Sequence, residues 1–198
     1  MIKLNLMKKL IGLNKVKTAV FISGTGSNLR KIIKFSKIKK SPISINLVVS
    51  TNRQAKGLDF ADQFKIKKKI FNYKHFKADE KKILSFLKKE KIKFICLAGF
   101  MKLLSKNFIE KFNGKIINIH PSLLPKYKGL NTHSRAINNN DKFAGCTVHF
   151  VTKKLDSGKI ILQKKIKIAS RDNPVSLAKK VLKQEHKLYP AAIMKVFN

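Results

Sequence analysis

Acidic residues are scarce in this chain. Ten Asp and Glu stand against 45 Lys and Arg, leaving a formal charge of +35. Arginine is scarcer still, at four positions: Arg30, Arg53, Arg135 and Arg171. Proteins that read nucleic-acid sequence lean on the forked guanidinium, so this balance argues against a dedicated sequence reader. Lysine is spread through every segment beside abundant Ile, Asn and Phe, residues with AT-rich codons. A genome-wide base bias explains that composition better than selection for nucleic-acid binding. Such a surface still attracts anions, and non-specific RNA binding at low salt is expected of it. Cysteine is limited to Cys96 and Cys146, which form no metal-binding pattern. Cys96 lies within the apolar run FICLAGF and reads as a buried, reduced thiol, which points to a cytoplasmic setting. No apolar run approaches the ~18 residues needed to span a bilayer, so no membrane association is expected. Repeats, low-complexity linkers and a second domain are all missing.

What remains is a chain of 198 residues, 43% of them hydrophobic. That length suits one α/β domain with a sizeable core. Residues 1–15 read as a Lys-rich N-terminal extension, lacking the Arg and Ser bias of a transit peptide. Residues 16–198 read as the domain. Strands are predicted at Val16 to Ile22, Ile43 to Ser50, Lys69 to Phe71, Phe94 to Ala98, Gly145 to Thr152 and Ile160 to Lys167. Helical spacing marks Leu29 to Lys40, Gly57 to Phe64, His75 to Glu90, Phe108 to Phe112 and Val175 to Met194. His75 reads as a solvated loop residue, and Gly99 to Leu104 as helix packing on the sheet through Met101 and Leu104. The fold expected is α/β: a single Rossmann-like domain with a mostly parallel twisted sheet, helices on both faces and a late antiparallel strand.

The stretch organising the chain is Lys115 to Gly129, KIINIHPSLLPKYKG. Ile116, Ile117 and Ile119 mark a buried strand that Pro121 and Pro125 end. Asn118 and His120, two apart, project to the same face near its end. Taken alone, they read equally as a turn-forming Asn with a structural His or as a functional pair. Ser23 to Leu29 (SGTGSNL) joins a strand to a helix N-terminus, a geometry that offers backbone N–H groups to an anion. It is not a Walker A loop, which ends in Gly-Lys-Ser/Thr. Asp156 in TKKLDSG (Thr152 to Gly158) is ordinarily a turn former.

In order and spacing, these three motifs resemble the signature of the folate-dependent formyltransferases, and the resemblance runs from roughly Val16 to Phe197. It is strongest to the branch whose acceptor is glycinamide ribonucleotide. The resemblance implies transfer of a formyl group from 10-formyltetrahydrofolate, a co-substrate, to the glycyl amine, in purine synthesis and without a metal. It implies Asn118, His120 and Asp156 as catalytic residues; since neither a cysteine nor a serine is positioned as a nucleophile, direct transfer with no covalent enzyme intermediate is expected. Gly26, Ser27, Asn28 and Glu185 are implied at the ribonucleotide. Met101, Lys102, Leu103, Leu104 and Thr152, with Asn118 and Asp156, are implied at the folate.

His149 reads as a supporting or core histidine and His133 as a structural hydrogen-bond partner. Where relatives usually place an Arg toward the folate, this chain has FKADEKK, so either Lys77, Lys81 or Lys82 serves or the contact is absent, and none is assigned. Chemically, Asn118 suits an oxyanion because it donates without ionising. Asp156 is expected to favour a charged His120.

Formyltetrahydrofolate hydrolase and methionyl-tRNA formyltransferase share the trio. The first usually carries an extra N-terminal regulatory domain and the second a C-terminal domain, neither of which is expected here, and the SGTGSNL loop argues for a phosphorylated small substrate instead. A basic RNA-binding module on the same scaffold is the alternative of another class. The enzyme is expected to act as a monomer or homodimer.

Overall fold

The computed structural model describes residues 15–71 and 76–198. His75 and all of the N-terminal extension except Lys15 fall outside the described residues, as does the side chain of Lys77. Lys15 donates through Nζ to the carbonyls of Ser36 and Ile38, at 2.7 and 2.9 Å.

The first strand, β1 (Val16–Ile22), has Ala19 through Ile22 fully buried. A strand covered on both faces belongs in the middle of a parallel sheet. It leads into α1 (Ser27–Ser36), β2 (Ile43–Ser50), α2 (Gly57–Gln63) and β3 (Lys67–Ile70). Next come α3 (Phe76–Lys89), β4 (Phe94–Leu97), α4 (Lys106–Lys111) and β5 (Lys115–His120). The chain closes with α5 (Thr132–Asn138), β6 (Phe143–Phe150), β7 (Ile160–Lys167) and α6 (Pro174–Phe197). The strands form one sheet in the order β3-β2-β1-β4-β5-β6-β7. All pairs from β3 to β5 are parallel, and β6 runs antiparallel to both β5 and β7. This is the expected fold.

Alternation along β1 divides the core. Val20 and Ile22 face α1, α2 and α6, packing with Leu29, Ile32, Leu58, Tyr189 and Ile193. Ala19 and Phe21 face α3 and α4, packing with Ile83, Leu87 and Phe108. Each such large side chain contributes roughly 1.5–3 kcal/mol through burial. The α6 helix starts with a reciprocal capping box between Asn173 and Ser176, with Pro174 following the cap. It delivers Tyr189 beneath the sheet, where the hydroxyl donates to the Leu97 carbonyl at 2.8 Å, with the Ile117 carbonyl at 3.3 Å. That contact fixes α6 against the end of β4 and the middle of β5. Among the described residues, no helix is long and apolar enough to cross a membrane.

One predicted helix is not formed. Residues 98–105 are an irregular loop, and α4 begins only at Lys106, capped by the Ser105 hydroxyl, which accepts from the Phe108 N–H at 3.0 Å. Gly99 adopts a left-handed φ of 71°, and the Met101 N–H is diverted to the Ser23 hydroxyl at 2.9 Å, so the backbone there makes tertiary bonds instead of helical ones. Met101 does not pack on the sheet; it is 68% exposed, and Leu103 is 64% exposed.

Candidate active site

The strand order reverses between β1 and β4, the place where open α/β sheets leave a crevice beyond their strand ends. On the β1 side, the turn is built by close backbone approach. Gly26 caps α1 at φ 73°, and a Cβ there would come within 2.4 Å of the Gly57 Cα. Only glycine tolerates both conditions. No side chain caps α1, so its first-turn N–H groups are left without a capping acceptor, which suits an anion. Ser23 ties the turn to its neighbours, donating its N–H to the Gly99 carbonyl at 3.0 Å and sharing a hydrogen bond with Thr51 at 3.1 Å. Asn28 is buried and donates Nδ2 to Glu185 Oε2 on α6 at 2.6 Å. Burial pushes the Glu185 carboxyl above its ordinary range, and the Asn28 bond opposes that shift. The Asn28 Oδ1 is buried with no hydrogen-bond partner among the described residues. Ser27 begins the helix beside them, half-buried.

Straight across the sheet, Phe21 registers with Leu97, and Leu97 with Asn118. At strand spacing, that is roughly 10 Å. Asn118 lies opposite His149 in the β5–β6 pairing, and its Nδ2 is 3.3 Å from His149 Nε2. His149 Nδ1 lies 2.8 Å from the Phe150 carbonyl, which can only accept, so Nδ1 carries a proton. Its Nε2 then receives one Asn118 N–H and leaves the other for a ligand.

His120 is 5% exposed. Its Nε2 donates to the Tyr127 carbonyl at 2.8 Å, and its Nδ1 faces Asp156 Oδ2 at 3.4 Å. Asp156 arrives from the β6–β7 loop at a left-handed φ of 43°. Its Oδ2 accepts the Gly129 N–H at 2.8 Å, and its Oδ1 is 3.6 Å from His149 Nε2. The structure thus brings Asn118, His120 and Asp156 together, with His149 linking the amide to the carboxylate. Among the described residues, no cluster of three potential metal ligands is found.

Electrostatically, the pair departs from expectation. Burial lowers the His120 imidazole below its ordinary value; the Tyr127 bond and the Asp156 charge act the other way and are outweighed. His120 is therefore neutral at pH 7, whereas the Asp156 charge alone suggested a charged ring. For Asp156, burial is the largest influence and pushes the carboxyl up. The nearby His149 ring, the Gly129 N–H bond and the His120 ring together overcome it, so Asp156 remains ionised. The site at rest is a carboxylate beside a neutral imidazole.

Burial lowers His133 and His186 as well. His133 does not make the expected structural bond through Nδ1, which is buried with no partner among the described residues. These shifts have a measurable consequence. When pH falls through the ordinary imidazole value of 6.5, the unfolded chain takes up protons that the folded chain refuses. Stability is therefore full above that pH and declines below it, until the folded-state values are passed. Melting temperature measured from pH 7.5 to 5.5 should fall, and His186→Gln should flatten the slope; an unchanged slope would remove His186 from this account.

The loop following β5 is held from beneath. Thr147 donates to the Ser122 carbonyl at 2.7 Å and accepts from the Leu124 N–H at 3.1 Å and from Gln163 at 2.8 Å. Beside it, the 98–105 loop offers the exposed Met101, Lys102 and Leu103 and the half-buried Leu104. Its far end is fixed by Glu80, buried on α3, which accepts from the Ser105 N–H at 2.8 Å and from the Ser105 hydroxyl. Thr152 is exposed, its hydroxyl donating to the Lys154 carbonyl at 3.2 Å. Lys81 and Lys82 are exposed on α3. Sequence reasoning missed Glu80, Tyr127 and Gly129. The last two act through backbone atoms, which leave no signal in side-chain type.

Comparison with known proteins gives the family. A family model described as formyl transferase matches residues 16–193. A phosphoribosylglycinamide formyltransferase from Haemophilus influenzae is 42% identical over 180 residues, covering 89% of this chain and 85% of the relative. The trifunctional purine biosynthetic protein adenosine-3 of Homo sapiens is 41% identical over 92% of this chain, which spans only 18% of that protein's length. The crystal structure of a phosphoribosylglycinamide formyltransferase from Brucella melitensis superposes with a TM-score of 0.87 at 41% identity, covering 92% of this chain and 96% of that one. With one family model spanning the whole sheet and a fold shared along almost the full chain, this protein belongs to the formyl transferase family.

Proposed function

We propose that this protein transfers the formyl group of 10-formyltetrahydrofolate to the glycyl amine of glycinamide ribonucleotide, a step of purine biosynthesis, in the cytoplasm. The observation carrying this reading is the convergence of an amide, a neutral imidazole and a carboxylate near an uncapped helix N-terminus. Residues 16–198 carry the activity in this reading, with small molecules as partners and no metal required.

The Gly26–Asn28 turn takes the ribonucleotide phosphate, and Glu185 works beside it by orienting Asn28. Met101 to Leu104 and Thr152 border the folate, and the surrounding lysines favour its anionic tail. Attack of the amine on the formyl carbon puts negative charge on the formyl oxygen. Asn118 donates its free N–H to that oxygen and needs no ionisation to do so. Asp156 and His120 together take the proton lost by the amine, directly or through one water. His120 so protonated lies between two acceptors, the Tyr127 carbonyl and Asp156, and passes the proton to the departing folate nitrogen. The proton lost by one nitrogen is gained by the other.

The test is a transfer assay with three acceptors: glycinamide ribonucleotide, water alone and charged initiator tRNA. Turnover with the ribonucleotide is expected. Turnover with water alone or with tRNA would reassign the protein within its family, and inactivity with all three would leave the basic-module alternative.

A further inference from the structure

Tyr127 has no assigned part in the chemistry, yet it is held on its backbone and its side chain beside His120. It is not glycine, but it holds a left-handed φ of 55°, a conformation that costs an L-residue about 1 kcal/mol. Its side chain is gripped from three directions. The hydroxyl donates to Asp141 Oδ2 at 2.9 Å and accepts from Asn139 Nδ2 at 2.9 Å. The Arg135 guanidinium lies over the ring at 5.0 Å from its centroid, while one of its nitrogens donates to the next carbonyl, that of Lys128, at 2.7 Å. Asp141 is held in turn by Lys126 at 2.9 Å. The Tyr127 carbonyl in turn accepts the Nε2 proton of His120.

A backbone carbonyl accepts and never donates, so this bond determines which imidazole nitrogen carries the proton in the neutral ring. We propose that Tyr127 is a positioning residue for His120: the Asp141–Tyr127 clamp holds the carbonyl on Nε2 and thereby keeps the imidazole lone pair on Nδ1, toward Asp156. The inference rests on the catalytic reading of His120 above. Without the clamp, the strained backbone at Tyr127 relaxes, the carbonyl leaves Nε2, and Nδ1 competes for the proton. The lone pair then points away from Asp156, and the proton relay is broken in a fraction of molecules. Among the described residues, the charged and titratable groups facing His120 are Asp156, His149, His133 and Arg135, and the hydrogen-bond partner of Nε2 is the Tyr127 carbonyl.

The experiment joins kinetics to nitrogen-15 NMR of the histidine rings on the full chain at pH 8. In the parent protein, His120 should show the Nε2–H tautomer. Tyr127→Phe, which removes the hydroxyl and keeps the ring, should give a mixed-tautomer signal and lower kcat about tenfold, a part of the 10²–10⁴ that acid–base groups supply. Both KM values should stay within about twofold. Asp141→Asn should reproduce both changes and serves if Tyr127→Phe does not fold. An Nδ1–H tautomer in the parent, or variants with unaltered rings or unaltered kcat, would overturn the proposal. If the tautomer shifts while His120→Ala retains full turnover, the catalytic reading of His120 fails and the clamp loses its role in catalysis with it.

Discussion

His120→Ala should lower kcat by about 10²–10⁴ and leave the fold standing, the range that a positioned proton-transfer group contributes. The physical reason is that no neighbour can replace it. His149 has its Nδ1 committed to the Phe150 carbonyl and its Nε2 to Asn118. The His133 ring is itself held neutral by burial. Removing the imidazole frees the Tyr127 carbonyl and deprives Asp156 of one neighbour, which costs about 1–3 kcal/mol for an unsatisfied buried acceptor. The core clusters on both faces of the sheet do not include His120, so the circular dichroism spectrum should match the parent's. Steady-state turnover with glycinamide ribonucleotide, alongside a thermal melt, separates the two effects. Parent-like turnover in a folded variant would take His120 out of the chemistry.

Much of this site was legible in the sequence because strands carry their geometry in a simple period. Asn118 and His120 had to share a face, being two apart in a strand whose intervening residue, Ile119, is core. The glycine-bearing turn after β1 announced backbone donors by joining a strand to a helix N-terminus without a Walker lysine; that no side chain caps the helix emerged only in the structure. Other features were hidden for physical reasons. The 98–105 loop has the apolar spacing of a helix, but its N–H groups are claimed by Ser23 and Glu80, residues distant in sequence. The charge state of His120 could not follow from the presence of Asp156, because burial is a property of the whole fold and outweighs one neighbouring charge here. His149 was half-legible: its place opposite Asn118 follows once β5 and β6 pair, but its link to Asp156 depends on how the β6–β7 loop folds back.

Asp156→Asn is the sharper test of how the trio works, because it removes a charge with almost no change in shape. Asn can still accept the Gly129 N–H through its carbonyl oxygen, so the loop should keep its left-handed turn. The variant loses the second proton-accepting group and the anion facing Nδ1 of His120. We expect kcat to fall by about 10²–10⁴ while the folate KM changes far less, since transition-state contacts are lost and ground-state ones kept. The pH profile carries the decisive sign. Asp156 raises the proton affinity of His120, so removing it moves that already lowered value further down. The acid limb of the residual activity should therefore shift to lower pH than in the parent. Assays across pH 5–8 read both effects. A loss confined to KM, or an acid limb that does not move, would mean that Asp156 shapes the loop and takes no part in moving the proton.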